Sequence, residues 1–268
     1  MIDIHTHILP ELDDGAESED DALAMCRMAA EDGIDVMVAT PHMFCDVGNP
    51  TKKEIAASCD RLRLMLVNAG IEIDLHFAAE VAMLEELSDK IKCGEVPMLD
   101  RMSRFVLLEA PRTGNCSREL SEMVFQLQLN DITPVVAHPE CTESFYYDPD
   151  LAERVVRQGA FLQVTAGSFL HGGDRFDVVM DFLKKGLIHV VASDAHDRKF
   201  RPPLLSEARR ICADIAGVAS AENLFCINPA RILQGEDPLP LEPIEDLEEG
   251  KAGFRSCFRR LLQKDRSS

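Results

Sequence analysis

The chain has 268 residues, 46% of them hydrophobic, and a formal net charge of −19 at pH 7. This length supports one large domain with a sizeable core, and the acidic balance argues against nucleic acid as a partner, because such a partner requires a basic surface. No apolar run approaches the roughly 20 residues that span a bilayer, and the N-terminus lacks the segments of a secretory signal. The nine cysteines are therefore expected to be reduced thiols in a cytoplasmic protein.

Short apolar runs alternate with longer helical patterns along the first 235 residues. Seven strands are predicted, at Ile2–Ile4, Val36–Ala39, Ile73–Ala78, Phe105–Leu108, Thr133–Ala137, Phe161–Val164 and Ile188–Ala192. Seven helices are predicted between and after them, at Ser18–Asp32, Asn49–Gly70, Met83–Lys92, Ser117–Leu129, Pro149–Gln158, Asp177–Lys184 and Pro203–Ala213. Strands that alternate with helices indicate an α/β fold with parallel strands. We expect a (β/α) barrel of the TIM-like kind rather than an open sheet, because no glycine-rich phosphate loop follows the first strand.

The composition changes after residue 235, so residues 1–235 are predicted to form the barrel domain. Residues 236–250 carry seven acids, three prolines and no basic residue, a pattern typical of an extended linker. Residues 251–268 carry six basic residues, with Phe254, Phe258, Leu261 and Leu262 at helical spacing. This predicted helix either packs on its own domain or a second subunit, or contacts a membrane surface or an acidic partner.

Polar side chains follow six of the seven predicted strands, at the point where each strand ends. They are His5, His7, His42, Glu80, Glu109, His138, Asp194 and His196. All eight are nitrogen or oxygen donors for metals, and in parallel barrels the chemistry lies at the carboxyl ends of the strands. His-x-His and Asp-x-His spacing also turns both side chains to one side of a strand. The sequence therefore predicts a metal site at this end of the barrel.

Eight ligands exceed the needs of one ion, so two or three divalent metal ions are implied. Imidazole mixed with carboxylate, without thiolate, suits Mn, Fe or Zn, and such a cluster can acidify a water molecule and neutralise phosphate oxygens. A phosphate substrate also calls for a cationic side chain. Arg201, five residues past His196, is the best candidate, and His42 is assigned a catalytic role as well as a ligand position.

Other polar residues near these positions are less decisive. His76 and His189 are interpreted as structural, and His171 as a residue that could line the mouth of the site. Of the two acids that follow the first histidine pair, one could cap the next helix while Asp14 supports the metals; this leaves Asp13 for the cap.

The sequence resembles a known family at several motifs. Ile2-Asp-Ile-His-Thr-His-Ile-Leu-Pro-Glu-Leu-Asp-Asp-Gly15 is similar to the opening of the bacterial protein-tyrosine phosphatases of the polymerase-and-histidinol-phosphatase (PHP) type. The later motifs follow in order: Ala39-Thr-Pro-His42, Ala137-His-Pro-Glu140, Gln163-Val-Thr-Ala-Gly-Ser168, Ala192-Ser-Asp-Ala-His196 and Arg201-Pro-Pro203. The resemblance covers residues 2 to about 235.

This resemblance implies a distorted (β/α)7 barrel, the PHP fold, with a trinuclear, usually manganese-dependent metal site. It also implies hydrolysis of phosphotyrosine on bacterial tyrosine kinases that control capsule or exopolysaccharide export. In the family pattern, the same eight side chains occupy the metal-ligand positions. The pattern also has two phosphate-binding arginines, and Arg201 occupies the position of one of them. The second arginine of the pattern would directly follow Glu140, where this chain has Cys141.

Cys141 leaves three interpretations open. The leading one is phosphotyrosine hydrolysis by an activated water without a covalent enzyme intermediate, with Arg112 or Arg175 as the substitute cation. A second is a small-molecule phosphatase acting on histidinol phosphate or sugar phosphates. A third is a regulatory module that binds phosphoproteins but turns over poorly. The oligomeric state is not indicated by the sequence.

Overall fold

The structure is a computed structural model that describes residues 1–170 and 172–244. His171 and the predicted helix at residues 251–268 lie outside the described residues, as does most of the predicted linker. Among the described residues, no helix is both long and apolar enough to cross a lipid bilayer.

Within the described residues, nine parallel strands form the inner layer. They are β1 Ile2–Thr6, β2 Val36–Ala39, β3 His42–Met43, β4 Asp74–Phe77, β5 Glu80–Ala82, β6 Phe105–Glu109, β7 Thr133–Ala137, β8 Phe161–Thr165 and β9 Val190–Ala192. They pair in the orders β1-β2-β4 and β3-β5-β6-β7-β8-β9. A bridge between Thr6 and Ala195 joins the first strand to the segment that follows β9, and the backbone N of Asp194 donates to the carbonyl of His5 at 2.9 Å. The predicted α/β barrel is therefore confirmed.

Seven of the nine strands overlap the seven predicted ranges. The other two, β3 and β5, follow the second and third predicted strands after a short break and were not predicted. β2 and β3 are separated by Thr40 and Pro41, and proline has no N–H to donate to a neighbouring strand. β4 and β5 are separated by Ala78 and Ala79, and the backbone N of Glu80 donates to the carbonyl of Pro41 at 3.2 Å. Each interruption places a ligand candidate at the first residue of the second piece, His42 in β3 and Glu80 in β5.

Helices cover the outside of the barrel. The α-helices are α1 Glu19–Glu31, α2 Lys52–Ala69, α3 Leu87–Lys92, α4 Ser117–Gln128, α5 Glu143–Tyr147, α6 Leu151–Arg157, α7 Gly167–Leu170, α8 Asp174–Lys184, α9 Ser206–Ala216, α10 Val218–Glu222 and α11 Asn228–Leu233. A 3-10 turn spans Pro139–Cys141, and a π-helical turn spans Asn223–Ile227. All seven predicted helices are present, and the short ones at α5, α7, α10 and α11 were not predicted.

Local signals explain where α2 begins and ends. Thr51 Oγ1 accepts from the backbone N of Glu54 at 3.3 Å, and a Glu54 carboxylate oxygen accepts from the backbone N of Thr51 at 2.8 Å. This reciprocal capping satisfies two donors that the first turn leaves free. Gly70 ends the helix with φ 64°, a left-handed conformation that glycine adopts without strain.

The prediction of a helix from Met83 was wrong in its first turn. The backbone N of Met83 donates to the carbonyl of Glu109 at 3.2 Å, which extends the pairing of β5 with β6 beyond the end of the strand. The helix α3 begins only at Leu87. A local apolar pattern cannot show that the backbone is already paired with a strand far along the chain.

The strands divide their side chains between two apolar cores. Phe105, Leu107 and Val135 point into the barrel, where they pack with the buried residues Ile4 and Val190. The alternating residues of the same strands face the surrounding helices, where a larger core lies. Both faces of the sheet are therefore buried, which leaves the ends of the barrel as the place for polar chemistry.

The described part of the predicted linker, residues 236–244, lies against the barrel. Asn228 holds it by accepting from the backbone N of Leu239 at 2.7 Å and donating to the Leu239 carbonyl at 3.0 Å. Arg104 forms an ion pair with Asp237 at 2.6 Å. The division into linker and C-terminal helix remains a prediction, since residues 245–268 are not described.

Candidate metal centre

The structure brings together all eight metal-ligand candidates that the sequence predicts, at the carboxyl end of the barrel. Seven of them are buried and Glu109 is partly exposed: His5, His7, His42, Glu80, His138, Asp194, His196 and Glu109. Their side chains come from six of the seven strand positions of the barrel. This convergence is a consequence of parallel strands, whose carboxyl ends all meet on one face.

Glu80 lies at the middle of the cluster. Its Oε2 lies 3.2 Å from His5 Nε2, 3.3 Å from His7 Nε2 and 3.1 Å from His42 Nδ1, while its Oε1 lies 2.8 Å from His138 Nε2. Burial would raise the pKa of this carboxyl, but the imidazoles of His5 and His138 outweigh it and hold the pKa well below its ordinary value. One carboxylate therefore faces four imidazole rings.

Several buried atoms of the cluster have no hydrogen-bond partner among the described residues. They are His42 Nδ1, Glu80 Oε2, Asp194 Oδ1 and His196 Nε2. Unpartnered buried polar atoms are rare because they lose the hydrogen bonds that water would provide. All four face the middle of the cluster, and all four are donor atoms that divalent cations accept. The site therefore fits metal ions.

The ligand atoms group into sets of metal-binding size, each within 4.8 Å of its own members. The sets are His5, Glu80 and His138; His5, His7 and Asp194; His42, Glu80 and Glu109; and His7, Asp14, His42 and His196. They contain only nitrogen and oxygen donors, which exclude a structural zinc of the cysteine type. Because the sets share members, neighbouring ions would be bridged by common side chains.

Three histidines are oriented by hydrogen bonds at Nδ1. His5 Nδ1 lies 2.8 Å from Gln163 Oε1, and His7 Nδ1 lies 2.6 Å from Asp13 Oδ2. His196 Nδ1 lies 3.0 Å from the carbonyl of Asp194. Each acceptor favours the tautomer with the proton on Nδ1, so each Nε2 presents its lone pair to the cluster. Gln163 and Asp13 are functional candidates for which sequence analysis had assigned no such role.

The two acids after the first histidine pair both belong to the centre. The expectation that one of them caps the next helix was wrong, because Ser18 is the N-cap of α1 and accepts from the backbone N of Asp21 at 3.2 Å. Asp13 instead orients His7. Asp14 Oδ1 lies 3.4 Å from His196 Nε2 and its side chain is 48% exposed, so it borders the cluster on the solvent side.

The backbone is strained at two of the strand ends. His138 has φ 31° and Asp194 has φ 54°, values that residues other than glycine rarely adopt. Such conformations are destabilising by roughly 1–3 kcal/mol each and persist where the surrounding structure holds them. Both turn a ligand candidate into the cluster, which is where strain is expected at a functional site.

Two arginines border the centre. Arg201 Nη2 donates to Asp194 Oδ2 at 2.5 Å, and its side chain is 33% exposed. Burial would raise the pKa of Asp194, but His5, His138 and Arg201 outweigh it and lower that pKa. Arg112 Nε donates to Glu109 Oε1 at 3.4 Å, and its side chain is 41% exposed. Each arginine thus contacts a different carboxylate of the cluster and keeps part of its surface in solvent.

The residues that sequence analysis interpreted as structural lie away from the cluster. His76 pairs with Asp74 at 3.0 Å, near the other end of the barrel. His189 is buried, and its Nδ1 accepts from the backbone N of Leu162 at 3.1 Å.

Arg175, a candidate for the substitute cation, lines a neighbouring cavity with Tyr146 and Tyr147. Among the described residues, no ion pair joins Arg175 to a carboxylate of the cluster.

Comparisons with known proteins agree with this site. Residues 1–234 match the model of the family "Capsular polysaccharide synthesis, CpsB/CapC". The chain is 32% identical to the tyrosine-protein phosphatase YwqE of Bacillus subtilis over 75% of this chain and 79% of that protein. It is 26% identical to the tyrosine-protein phosphatase CpsB of Streptococcus pneumoniae over 88% of this chain and 99% of that protein.

A solved structure extends the likeness to three dimensions. It is one of the crystal structures of YwqE from Bacillus subtilis and CpsB from Streptococcus pneumoniae, described as unique metal-dependent tyrosine phosphatases. It superposes on this chain with a TM-score of 0.83 at 29% identity. It covers 91% of this chain, and all of the solved chain is covered in turn. The lactonase Lmo2620 of Listeria monocytogenes, at 12% identity and a TM-score of 0.57, shares the fold alone. The chain belongs to the CpsB/CapC family of capsular polysaccharide synthesis.

Proposed function

We propose that this chain is a metal-dependent protein-tyrosine phosphatase that acts on a bacterial tyrosine kinase of capsule or exopolysaccharide synthesis. The observation that carries the proposal is the mixed imidazole and carboxylate cluster with unpartnered donor atoms, bordered by Arg201. Membership of the CpsB/CapC family, and the names of the relatives, support phosphotyrosine as the substrate. Manganese is the proposed metal, with iron or zinc as alternatives, because the ligands are nitrogen and oxygen atoms.

The eight strand-end residues would hold the ions, with Asp14 as a ninth ligand. Divalent ions bound there supply a Lewis acid that lowers the pKa of a water molecule and neutralises phosphoryl oxygens. Glu80 would be shared between neighbouring ions, since it belongs to two of the sets. His42 belongs to two of the sets and is proposed as a ligand, so its catalytic role would be exerted through the ions that it holds.

Arg201 is proposed to bind the phosphoryl group of the substrate. Its guanidinium already contacts one oxygen of Asp194, while Asp194 Oδ1 faces the cluster. The remaining N–H donors can therefore bind phosphate oxygens next to the ions, with the planar geometry that arginine offers to such groups. A hydrogen bond of this kind positions the phosphorus atom without any covalent bond to the protein.

The surface beside Arg201 suits an aromatic side chain better than a polar metabolite. Phe200, the residue before Arg201 in the chain, is 79% exposed. A phosphotyrosine ring that entered over Phe200 would gain the stacking contact typical of aromatic pairs. Sugar phosphates have no aromatic ring and would gain much less from the same contact.

The decisive experiment measures hydrolysis by protein stripped of metal and then supplied with Mn, Fe or Zn. We expect at least one of these ions to restore hydrolysis of a phosphotyrosine peptide, and the rate to fall by more than 100-fold in His7→Ala. His76→Ala is the matched control, because it removes a histidine that lies away from the cluster, and it should keep the activity of the original protein. Failure of all three metals would refute the proposal.

The substrate class is tested with the same reloaded protein. The phosphotyrosine peptide is compared with a phosphoserine peptide, histidinol phosphate and a sugar phosphate at equal concentrations. We expect the highest kcat/KM for the phosphotyrosine peptide, and a lower value for it in Phe200→Ala but not in Phe125→Ala, an exposed phenylalanine on α4. A preference for histidinol phosphate would favour a small-molecule phosphatase instead.

A further inference from the structure

Position 141 cannot supply positive charge to the metal centre. Cys141 ends the 3-10 turn that follows His138, and burial raises the pKa of its thiol to about 12. The side chain is therefore neutral at physiological pH and forms at most weak hydrogen bonds. A phosphoryl group on the cluster carries charge on several oxygens, and Arg201 approaches from one side only.

The loop after β6 brings another cation to the same place. Arg112 lies in this loop, three residues after Glu109, and the loop is bound to the segment that follows Cys141. The carbonyl of Arg112 accepts from the backbone N of Glu143 at 3.0 Å. The backbone N of Gly114 donates to Glu143 Oε2 at 2.8 Å, and that of Cys116 donates to Ser144 Oγ at 2.8 Å. These contacts fix the loop beside position 141.

The side chain of Arg112 is turned to the cluster. Its Nε donates to Glu109 Oε1 at 3.4 Å, and Glu109 Oε2 lies 3.4 Å from His42 Nδ1. The side chain is 41% exposed, so a ligand beside the cluster can reach it from the solvent side.

Arg112 and Arg201 make the same kind of contact with the metal centre, since each donates to one carboxylate of the cluster. Arg201 contacts Asp194, on the segment after β9, and Arg112 contacts Glu109, at the end of β6. In both cases the other oxygen of that carboxylate faces a histidine of the cluster. Two arginines arranged in this way can hold two different oxygens of one phosphoryl group.

Arg175, the other candidate cation, is less well placed to bind the phosphoryl group. Arg175 is exposed at the start of α8 and lines a cavity of about 450 Å³ with Tyr146, Tyr147 and Gly173. Its charge reaches the Cys141 thiol, but within residues 1–170 and 172–244 it forms no ion pair with a carboxylate of the cluster. It is better placed to contact a part of the substrate that lies outside the metal centre.

We propose that Arg112 is the second phosphate-binding arginine of this chain and replaces the cation that Cys141 cannot provide. The inference rests on the proposed function and names a residue that binds the phosphoryl group. Arg112 has no role in holding the ions, since it donates to a carboxylate and arginine is not a metal ligand.

The test measures binding of inorganic phosphate to the manganese-loaded protein by calorimetry, together with metal content. Arg112→Gln should weaken phosphate binding by about 10- to 100-fold, the loss expected for one charge-assisted interaction. Arg175→Gln is the matched control and should change it by less than about threefold. The metal content of both variants should equal that of the original protein. Unchanged phosphate affinity in Arg112→Gln at saturating manganese would overturn the proposal.

A rescue variant separates a direct role from a structural one. In the double variant Arg112→Gln with Cys141→Arg, the new guanidinium enters the same region from the neighbouring turn. Phosphate affinity should return to within about tenfold of the original value, and KM for a phosphotyrosine peptide should fall with it. Lack of any rescue, with a folded and metal-loaded protein, would count against a shared phosphate site. If the original protein binds phosphate through Arg112 but hydrolyses no phosphotyrosine peptide, the proposed function fails and this inference stands.

Discussion

Asp13 links two histidines of the metal centre through one carboxylate oxygen. Its Oδ2 lies 2.6 Å from His7 Nδ1 and accepts from the backbone N of His42 at 3.0 Å. Burial would lower the pKa of His7, but the hydrogen bond to Asp13 and the negative charges of Asp13 and Glu80 raise it to about 10 in the absence of metal. An ion at Nε2 would take the place of that proton, while Asp13 would keep the ring oriented.

Replacing this orienting carboxylate should weaken metal binding without removing a ligand. Partners of this kind typically change metal affinity by about 10- to 100-fold, and we expect a loss of this size in Asp13→Asn. The measurement is a titration of stripped protein with manganese. Asp46→Asn, a change at an exposed acid, is the control. An Asp13→Asn protein with the original affinity would show that His7 is held by other contacts.

Asp14 is expected to act as a ligand itself. Its Oδ1 groups with the ring nitrogens of His7, His42 and His196, and this set has its only carboxylate in Asp14. Asp14→Ala should therefore lower the number of tightly bound ions by one, as measured by elemental analysis after dialysis. Full occupancy in Asp14→Ala would mean that the three imidazoles suffice or that the ion is bound elsewhere.

The sequence was sufficient to predict which side chains meet in the cluster, because they follow a rule of the fold. Parallel strands carry their chemistry at one end, so His5, Glu109 and Asp194 could be assigned to one site although they are far apart in the chain. The orienting residues follow no such rule. Gln163 lies inside β8 and Asp13 in a loop, and their partners are known only once the strands are placed side by side.

The helix boundaries show a similar limit. The end of α2 at Gly70 was predicted correctly because glycine is a local signal, whereas its start was predicted three residues early, at Asn49 instead of Lys52. The false first turn of α3 arose from a long-range contact of Met83 that no local pattern shows. The position of Arg112 beside the turn at Cys141 also depends on contacts between segments that are distant in sequence.

Gly15 is expected to be required for the geometry of His7. A Cβ at this position would lie 2.0 Å from the carbonyl oxygen of His7 and 2.5 Å from its Cβ. Gly15→Ala should therefore displace the loop and lower both thermal stability and metal affinity, with overpacking typically destabilising by about 1–3 kcal/mol. Gly167→Ala, where the nearest atom lies 4.0 Å away, is the control. Equal melting temperatures and metal affinities for the two variants would contradict this role.

His189 should make the stability of the protein depend on pH independently of the metal centre. It is 6% exposed, and its Nδ1 must be unprotonated to accept from the backbone N of Leu162. Burial lowers its pKa from 6.5 to about 4. Between these two values the unfolded chain binds a proton at His189 that the folded chain does not, so the free energy of unfolding falls as the pH falls. This loss in the free energy of unfolding is absent above pH 6.5 and reaches about 3 kcal/mol near pH 4.

This effect is measured by urea unfolding of the original protein and of His189→Asn at several pH values from 7.5 to 4.5. The asparagine oxygen can accept the same backbone hydrogen bond but does not titrate. The carboxylates and histidines of the metal centre are the same in both proteins, so the difference between the two slopes isolates His189. We expect the original protein to lose stability more steeply below pH 6.5, by up to about 1.4 kcal/mol per pH unit. Parallel slopes would show that His189 is protonated in the folded protein, or that water reaches its ring.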